Sequence, residues 1–331
     1  MMPGFADIIG HEDTVRHLQQ ALTGGMVSHA YLIEGDAGSG KHMIAQAFAA
    51  ALLCEQSADE ACGVCRSCRL AQAHTHPDIR LVEHEKPGLI SVEEIRRQVV
   101  GDVLIRPYQS AYKVYIIPDA EKMNTQAQNA LLKTLEEPPA YAVILLLTVN
   151  ASALLETIRS RCVHLPLRPL PAERIQAYLM EKRQLPDYQA QLCTAFAQGS
   201  LGKALELAGS EYFTEIRSRA IQIASRSGQM SIAQLSAAVR SVSDYKVTIQ
   251  DFLDILAVWY RDVLYFKATK QVDKLVFTDQ IVRIREMAGT CSYEGLEEIL
   301  KALGKASERL SANVNFDLAM ELLFLTIRDH T

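Results

Sequence analysis

The feature that most constrains this chain is a glycine-rich loop early in the sequence. It reads Gly35-Asp-Ala-Gly-Ser-Gly-Lys41-His42 and fits the phosphate-loop pattern G-x-x-x-x-G-K at Gly35, Gly40 and Lys41. In such a loop the glycines let backbone N–H groups surround a phosphate, and the lysine adds a positive charge for the outer phosphates. The pattern continues with Ser or Thr, whose hydroxyl holds Mg²⁺, but here His42 takes that position. The loop predicts a nucleotide-binding scaffold that lacks one magnesium ligand.

A second magnesium ligand is missing at the end of a predicted strand. An ATPase of this class needs a hydrophobic strand followed by acidic residues, one of which holds the metal. The segment Lys113-Val-Tyr-Ile-Ile-Pro118-Asp119-Ala-Glu121 has that form, but Pro118 stands where the metal-binding carboxylate is needed. Asp119 and Glu121 are displaced from that position by one and three residues. We therefore expect no ATP hydrolysis by the isolated chain.

Strand and helix signals alternate through the first half of the sequence. Short apolar segments predict five strands, at Ala30–Ile33, Ile79–Val82, Tyr112–Ile117, Val143–Val149 and Val163–Leu167. Continuous apolar runs of this length are typical of a parallel sheet covered on both faces. A capping box at Ser91-Val-Glu-Glu94 opens one intervening helix, and another runs from about Asn124 to Pro138. The fold class is therefore α/β. An apolar helix predicted from Met43 to Leu53 follows the glycine-rich loop, as in phosphate-binding loops, which argues against a chance match of the loop to that pattern.

Four of the seven cysteines cluster directly after that apolar helix. The spacing C-x₇-C-x₂-C-x₂-C is formed by Cys54, Cys62, Cys65 and Cys68. In a reducing compartment clustered thiols indicate a metal, and four thiolates make a closed tetrahedral site for structural zinc. The alternatives are an iron–sulfur cluster and a set of unpaired thiols. We expect ordinary buried thiols at the isolated positions, which are Cys162, Cys193 and Cys291.

Composition bounds the class of protein and the number of domains. A length of 331 residues suggests two or three domains, and a net charge of −5 argues against a general nucleic-acid coat. The sequence shows neither a membrane-spanning apolar run nor a signal peptide, which predicts a cytoplasmic protein without membrane contacts. Strand signals end near Arg168-Pro-Leu-Pro171. The remaining sequence is helical in pattern, and three apolar stripes predict packing within a bundle: Ile249–Phe266, Leu296–Leu310 and Phe316–Ile327.

Several segments together form a family signature. They are Phe5-Ala-Asp-Ile-Ile-Gly10-His, His29-Ala-Tyr-Leu, the four cysteines, Asn129-Ala-Leu-Leu-Lys-Thr-Leu-Glu-Glu-Pro-Pro139 and Ile158-Arg-Ser160-Arg161-Cys162. This combination resembles the clamp-loader subunits of bacterial DNA polymerase III, and the last segment is similar to the family's Ser-Arg-Cys motif. The resemblance covers the first 208 residues well, and Trp259-Tyr-Arg-Asp262 extends it into the helical part. Motor subunits (gamma or tau) keep an intact phosphate loop, whereas delta-prime subunits commonly lose it, so the chain is closer to the latter.

The resemblance implies an architecture and a role. We expect an AAA+ α/β domain at residues 1–166 with a zinc knuckle inserted at about 54–68, a helical lid at 167–208 and a helical collar at 209–331. The collars hold motor, delta and delta-prime subunits in an open ring of five, which uses ATP to load the sliding clamp on primed DNA. Contact of a delta-prime subunit with the clamp itself is expected to be weak or indirect. Arg161 is expected to enter the ATP site of a neighbouring motor subunit as an arginine finger.

Other expectations stay open at this point. Binding of ATP or ADP at Gly35, Gly40 and Lys41 is undecided, Asn150 occupies the position of a polar residue that faces the γ-phosphate, and Lys203 replaces an arginine of the lid. Three histidines near the cysteines are predicted to be loop residues rather than substitute ligands: His74, His76 and His84. The rival functions are an active motor subunit and a metal-stabilised DNA-binding regulator. The acidic composition argues against the regulator.

Overall fold

The chain divides by its internal contacts into two compact units. The first comprises Met1–Pro171 and Gly199–Lys203, and the second comprises Ala172–Gln198 and Ala204–Thr331. The computed structural model describes residues 4–86, 88–312 and 314–331, without the side chains of residues 246–248. Because contacts define two units, the three domain boundaries drawn from the sequence stay a prediction.

A five-stranded parallel sheet forms the centre of the first unit, which confirms the predicted α/β class. Its strands are β1 (Ala30–Glu34), β2 (Ile79–Leu81), β3 (Lys113–Ile117), β4 (Ala142–Thr148) and β5 (Val163–Pro166). They lie in the spatial order β2-β3-β4-β1-β5. Side chains alternate along β1, so that Ala30 and Leu32 join one apolar cluster while Tyr31 and Ile33 join another. Coverage of both faces explains why the strands are continuously apolar.

Helices cover the two faces of this sheet. They are α1 (Glu12–Thr23), α2 (Lys41–Leu52), α3 (Arg66–Gln72), α4 (Val92–Ile95), α5 (Thr125–Glu136) and α6 (Glu156–Arg159). The predicted capping box is present at α4, where the Ser91 side chain accepts from the N–H of Glu94 and the Glu94 side chain accepts from that of Ser91. α4 continues into a π-helical turn, Arg96–Val100. Since the strands are parallel, the loops after β1, β3 and β4 meet at one edge of the sheet.

The second unit is helical, as the sequence predicts. The helices after Pro171 are α7 (Ala172–Arg183), α8 (Asp187–Ala197), α9 (Leu201–Ala208), α10 (Glu211–Arg226), α11 (Ile232–Val242), α12 (Ile249–Thr269), α13 (Ile281–Thr290), α14 (Tyr293–Ser311) and α15 (Phe316–His330). The three apolar stripes lie in α12, α14 and α15 and supply much of one continuous core. Within the described part of the chain, no helix combines the length and apolar character needed to cross a membrane.

A buried carboxylate organises the centre of that helical core. Asp262 on α12 accepts the backbone N–H groups of Val276 and Phe277 at 2.7 and 2.8 Å. Burial raises the pKa of Asp262, and the hydrogen bonds from the backbone and from Arg261 oppose that shift. The Trp259 indole, fully buried one turn earlier, donates to the sulfur of Met287 at 3.4 Å. The segment Trp259–Asp262 thus fixes a loop and a neighbouring helix by polar contacts that an apolar stripe alone does not reveal.

Candidate functional site

The glycine-rich loop joins the carboxyl end of β1 to the first turn of α2. Gly38 and Gly40 adopt φ values of +73° and +97°, a region that favours glycine. A Cβ atom at Gly35 would lie 2.7 Å from the hydroxyl oxygen of Ser39. The loop conformation therefore agrees with the predicted pattern: Gly40 needs a positive φ, and a side chain at Gly35 would displace the Ser39 hydroxyl.

The Lys41 side chain turns back into its own loop. Its Nζ donates to the carbonyl oxygens of Gly35 and Asp36 at 2.5 and 2.8 Å. Only 8 % of the residue is exposed. Burial lowers the pKa of Lys41, and the nearby carboxylates of Glu121, Asp119 and Asp36 oppose that shift. The ammonium group of Lys41, which the sequence pattern predicts to bind phosphate, thus donates hydrogen bonds to two carbonyl groups of its own loop.

A short segment of the first unit, Gly199–Lys203, packs against the same loop. The hydroxyl of Ser200 donates to the carbonyl oxygen of Ala37 at 2.9 Å, and the N–H of Gly202 donates to that of Gly38 at 2.9 Å. A Cβ at Gly202 would lie 2.7 Å from the carbonyl oxygen of Gly38. The sequence drew attention to this segment through its lysine, but the contact is made by a glycine backbone and a serine hydroxyl.

The two positions that depart from the magnesium-binding pattern are His42 and Pro118. Burial lowers the pKa of His42, and the nearby Asp119 carboxylate opposes that shift. Asp119 follows the proline with a φ of +48° and pairs with Lys122 at 2.9 Å. The His42 side chain is exposed, and its imidazole offers nitrogen where Mg²⁺ prefers oxygen ligands, so His42 does not replace the missing hydroxyl.

The other polar residues at this edge of the sheet already have partners. Glu121 accepts the hydroxyl of Thr148 at 2.7 Å and the N–H of Val149 at 3.3 Å. The Asn150 side-chain oxygen accepts the backbone N–H and the hydroxyl of Ser152 at 3.0 and 2.6 Å, which caps a short turn. Both side chains therefore stabilise the loop that follows β4.

The four clustered cysteines converge in the structure. The Sγ atoms of Cys54, Cys62, Cys65 and Cys68 all lie within 4.8 Å of one another. The Sγ atoms of Cys62 and Cys68 are 3.9 Å apart, close to the roughly 3.8 Å that Zn–S bonds of about 2.3 Å give in a tetrahedron. Backbone N–H groups of Cys62, Cys65 and Cys68 donate to sulfurs of Cys54, Cys62 and Cys65 at 3.5, 3.4 and 3.3 Å. Such bonds lower the pKa of the Cys62 thiol and suit thiolates bound to a metal.

His76 links the cysteine knuckle to the sheet and is not one of the converging ligands. Its Nδ1 accepts the N–H of Asp78 at 3.1 Å, so Nε2 carries the proton and donates to the Ser67 hydroxyl at 3.0 Å. Burial lowers the pKa of His76, and the carboxylates of Asp78 and Glu55 oppose that shift. The fully buried Asp78 carboxylate in turn accepts three backbone N–H groups, of residues 108–110, at 2.6 to 3.0 Å. The sequence reasoning missed Ser67 and Asp78, since neither belongs to a recognisable pattern.

Arg161 lies at the surface of the first unit, between α6 and β5. Its Nη2 is 2.9 Å from the carboxylate of Glu136 at the end of α5. Its Nη1 donates to the carbonyl oxygen of Thr157 at 2.9 Å. Because 36 % of its side chain is exposed, Arg161 is accessible to a molecule outside the chain, whereas Lys41 is not.

Comparison with known proteins gives full-length matches. The profile of the family described as "DNA polymerase III, delta subunit" matches residues 10–171, and that of "DNA polymerase III, delta subunit, C terminal" matches residues 213–329. "DNA polymerase III subunit delta'" of Bacillus subtilis is 31 % identical over 320 residues, 94 % of each chain. The protein of the same name in Pseudomonas aeruginosa is 33 % identical over 327 residues, 93 % of this chain and 95 % of that one. "DNA polymerase III subunit tau" of Escherichia coli is 35 % identical over 246 residues, 72 % of this chain but 36 % of its own.

Proposed function

Because this chain belongs to the family of DNA polymerase III delta-prime subunits, we propose that it is the non-hydrolysing subunit of a clamp loader. Full-length similarity to two delta-prime proteins supports the clamp-loader role. The five-stranded parallel sheet with a phosphate loop after β1 is the AAA+ type of fold that the sequence resemblance implied. In this proposal the chain assembles with gamma- or tau-type motor subunits and a delta subunit. The complex loads the sliding clamp on primed DNA.

The proposed domain roles follow the order of the chain. Residues 1–166 form the AAA+ domain, residues 167–208 the lid and residues 209–331 the collar that holds the ring together. Separate family matches at residues 10–171 and 213–329 support a division between the two ends of the chain. Contacts with clamp and DNA are proposed only within the assembled complex, because the net charge of −5 offers no general attraction for DNA.

The observation that carries the proposal is the state of the phosphate loop. Lys41 is bonded to the carbonyls of Gly35 and Asp36, and the two positions for magnesium ligands hold His42 and Pro118. Without Mg²⁺ neither charge neutralisation nor orientation of the phosphates is available. Two of the three N–H donors of Lys41 are used by these carbonyls, which leaves one for a phosphate, so the proposal excludes hydrolysis by this chain but not binding of ATP or ADP.

The proposed metal is structural zinc. Cys54, Cys62, Cys65 and Cys68 would supply all four ligands of a tetrahedral site, which leaves no open position for a substrate. The metal would stabilise the knuckle between α2 and β2 and take no part in phosphate chemistry.

The contribution to catalysis is proposed to be made in trans by Arg161. A guanidinium on an exposed turn can reach phosphate oxygens of a nucleotide held by a neighbour, and its planar fork matches them in a bidentate way. In GTPases such an arginine raises the rate by about 10³ to 10⁵. Here only one of the ATP sites in the ring would receive it.

The rival function is an active motor subunit. The 35 % identity to a tau subunit over 72 % of this chain favours it, and the missing magnesium ligands oppose it. An ATPase assay of the isolated chain separates the two. We expect no turnover, and a rate of about 1 per second or faster would establish the motor subunit instead.

The trans role is tested with Arg161→Ala in a reconstituted complex at equal subunit occupancy. We expect normal assembly but a loss of clamp loading of about tenfold or more, with a smaller loss of total DNA-stimulated ATPase because other sites still work. Arg161→Lys should recover little, since lysine lacks the planar fork. Arg159→Ala, at an exposed arginine at the end of α6, is the matched control and should behave as wild type. Unchanged loading by Arg161→Ala would leave the chain a purely structural subunit.

A further inference from the structure

We propose that Glu136 is a positioning residue for Arg161, an inference that rests on the trans role proposed above. The carboxylate of Glu136 lies 2.9 Å from Nη2 of Arg161, and the Thr157 carbonyl accepts from Nη1 at 2.9 Å. Two acceptors on two different nitrogens fix both the position and the plane of the guanidinium. An arginine has five donors, so donors remain for the phosphate oxygens of a neighbour.

Helix α5, which carries Glu136, is hydrogen-bonded to the loop that leads into α6 and then to Arg161. The buried Gln128 on α5 donates to the carbonyl oxygens of Met123 and Ala153 at 3.0 and 3.3 Å. Its side-chain oxygen accepts the N–H of Leu155 at 2.8 Å, immediately before α6. This single amide therefore ties α5, which ends at Glu136, to the loop that opens α6, and Arg161 follows two residues after the end of α6.

Apolar packing supports the same arrangement. Leu131 and Leu135 on α5 are almost completely buried, as is Ile158 on α6, and all three belong to one core cluster. The exposed pair of Glu136 and Arg161 thus lies on a well-packed base. On a mobile loop, the same ion pair would not fix the position of the guanidinium relative to the rest of the domain.

A pre-positioned guanidinium affects the rate more than the affinity for nucleotide. A free arginine side chain samples many rotamers, and this freedom must be lost when it meets the phosphates in the transition state. Glu136 removes part of that freedom beforehand. Because the pair is half exposed, its contribution to folding stability is small, so removal of the carboxylate should alter catalysis without unfolding the chain.

The experiment compares Glu136→Gln with Glu137→Gln in the reconstituted complex. Glu137 is exposed on the next residue, so the second variant makes the same charge change beside the site and serves as the control. We expect Glu136→Gln to lower the kcat of DNA-stimulated ATPase at the affected site, and the clamp-loading rate, roughly two- to five-fold. The KM for ATP should stay within about twofold, and Glu137→Gln should match wild type.

A double variant separates this inference from the proposal on which it rests. If Glu136 acts through the arginine, Glu136→Gln combined with Arg161→Ala should lose no more activity than Arg161→Ala alone. A Glu136→Gln variant that matches Glu137→Gln, or loads clamps faster than wild type, overturns the positioning role while an impaired Arg161→Ala keeps the trans role intact. A fully active Arg161→Ala overturns both.

Discussion

The glycine-rich loop at the start of helix α2 and the cysteine knuckle after its end differ in how complete their sets of ligands are. At its start the glycine-rich loop has Gly38 and Gly40 at positive φ, which agrees with the predicted phosphate-loop pattern, but has His42 at the position of the predicted magnesium ligand. Just beyond its end the cysteine knuckle has all four sulfurs within 4.8 Å of one another. The first site has the shape without the ligands, and the second has a complete set of ligands. Backbone geometry alone is therefore poor evidence of chemistry.

The loop has become part of the packing of the first unit. Lys41 fills the space inside it and satisfies the Gly35 carbonyl, and the Gly202 backbone closes on Gly38. The glycines at this contact thus also serve the packing of the first unit, since a Cβ at Gly202 would lie 2.7 Å from the carbonyl oxygen of Gly38. At the knuckle, backbone N–H groups donate to sulfur and lower the pKa of the Cys62 thiol, whereas burial raises the pKa of the Cys68 thiol. Four converging sulfurs with such N–H donors are a suitable set of metal ligands.

Removal of the metal from the knuckle should have the largest effect. Zinc binding contributes about 10 kcal/mol or more to the folding of zinc-finger peptides at neutral pH, so Cys65→Ser should lose the metal and much of the stability of the first unit. Metal analysis by mass spectrometry and thermal unfolding with and without chelator measure both effects. Cys193→Ser, outside the cluster, should retain one zinc per chain. If the wild-type protein were fully stable without metal and had four free thiols, the cysteine knuckle would not be a structural zinc site.

Replacement of Lys41 tests the role of the glycine-rich loop at the start of α2. Lys41→Met removes the donor to the buried Gly35 carbonyl, and an unpaired buried acceptor costs about 1–3 kcal/mol. We expect a lower midpoint of thermal unfolding but unchanged ATPase and clamp loading by the assembled complex. The same substitution in the phosphate loop of a motor subunit is the control, and it should abolish hydrolysis at that site. Loss of complex activity with Lys41→Met in this chain would show that its loop still serves a nucleotide.

Restoration of the missing ligands should have the smallest effect. The double variant His42→Thr and Pro118→Asp returns both magnesium-holding groups, but Lys41 still gives two of its three N–H donors to loop carbonyls and so has one left for a phosphate. We expect weak magnesium-dependent binding of ATP by calorimetry, with an affinity well below that of a motor subunit, and no turnover by the isolated chain. Tight binding would show that the two ligands were the only defect, and that the inward Lys41 is no obstacle.

Much of the fold could be predicted from the sequence. All five strands lie within a residue or so of the predicted segments, and the capping box at Ser91 is present. The convergence of the cysteines was also expected from their spacing. What could not be predicted is which polar group each side chain meets. The Asp78 carboxylate holds residues 108–110 and Glu136 holds Arg161, and each partner is distant in sequence.

The sequence by itself determined where strands and helices form, which positions need glycine, and that two magnesium ligands are absent. These properties depend on a residue and its near neighbours, through backbone conformation, side-chain periodicity and the chemistry of single side chains. Only the tertiary structure decided that Lys41 points inward while Arg161 stays exposed beside Glu136. The orientation of a long cationic side chain depends on which acceptors and how much water surround it, and the packing of distant segments sets both.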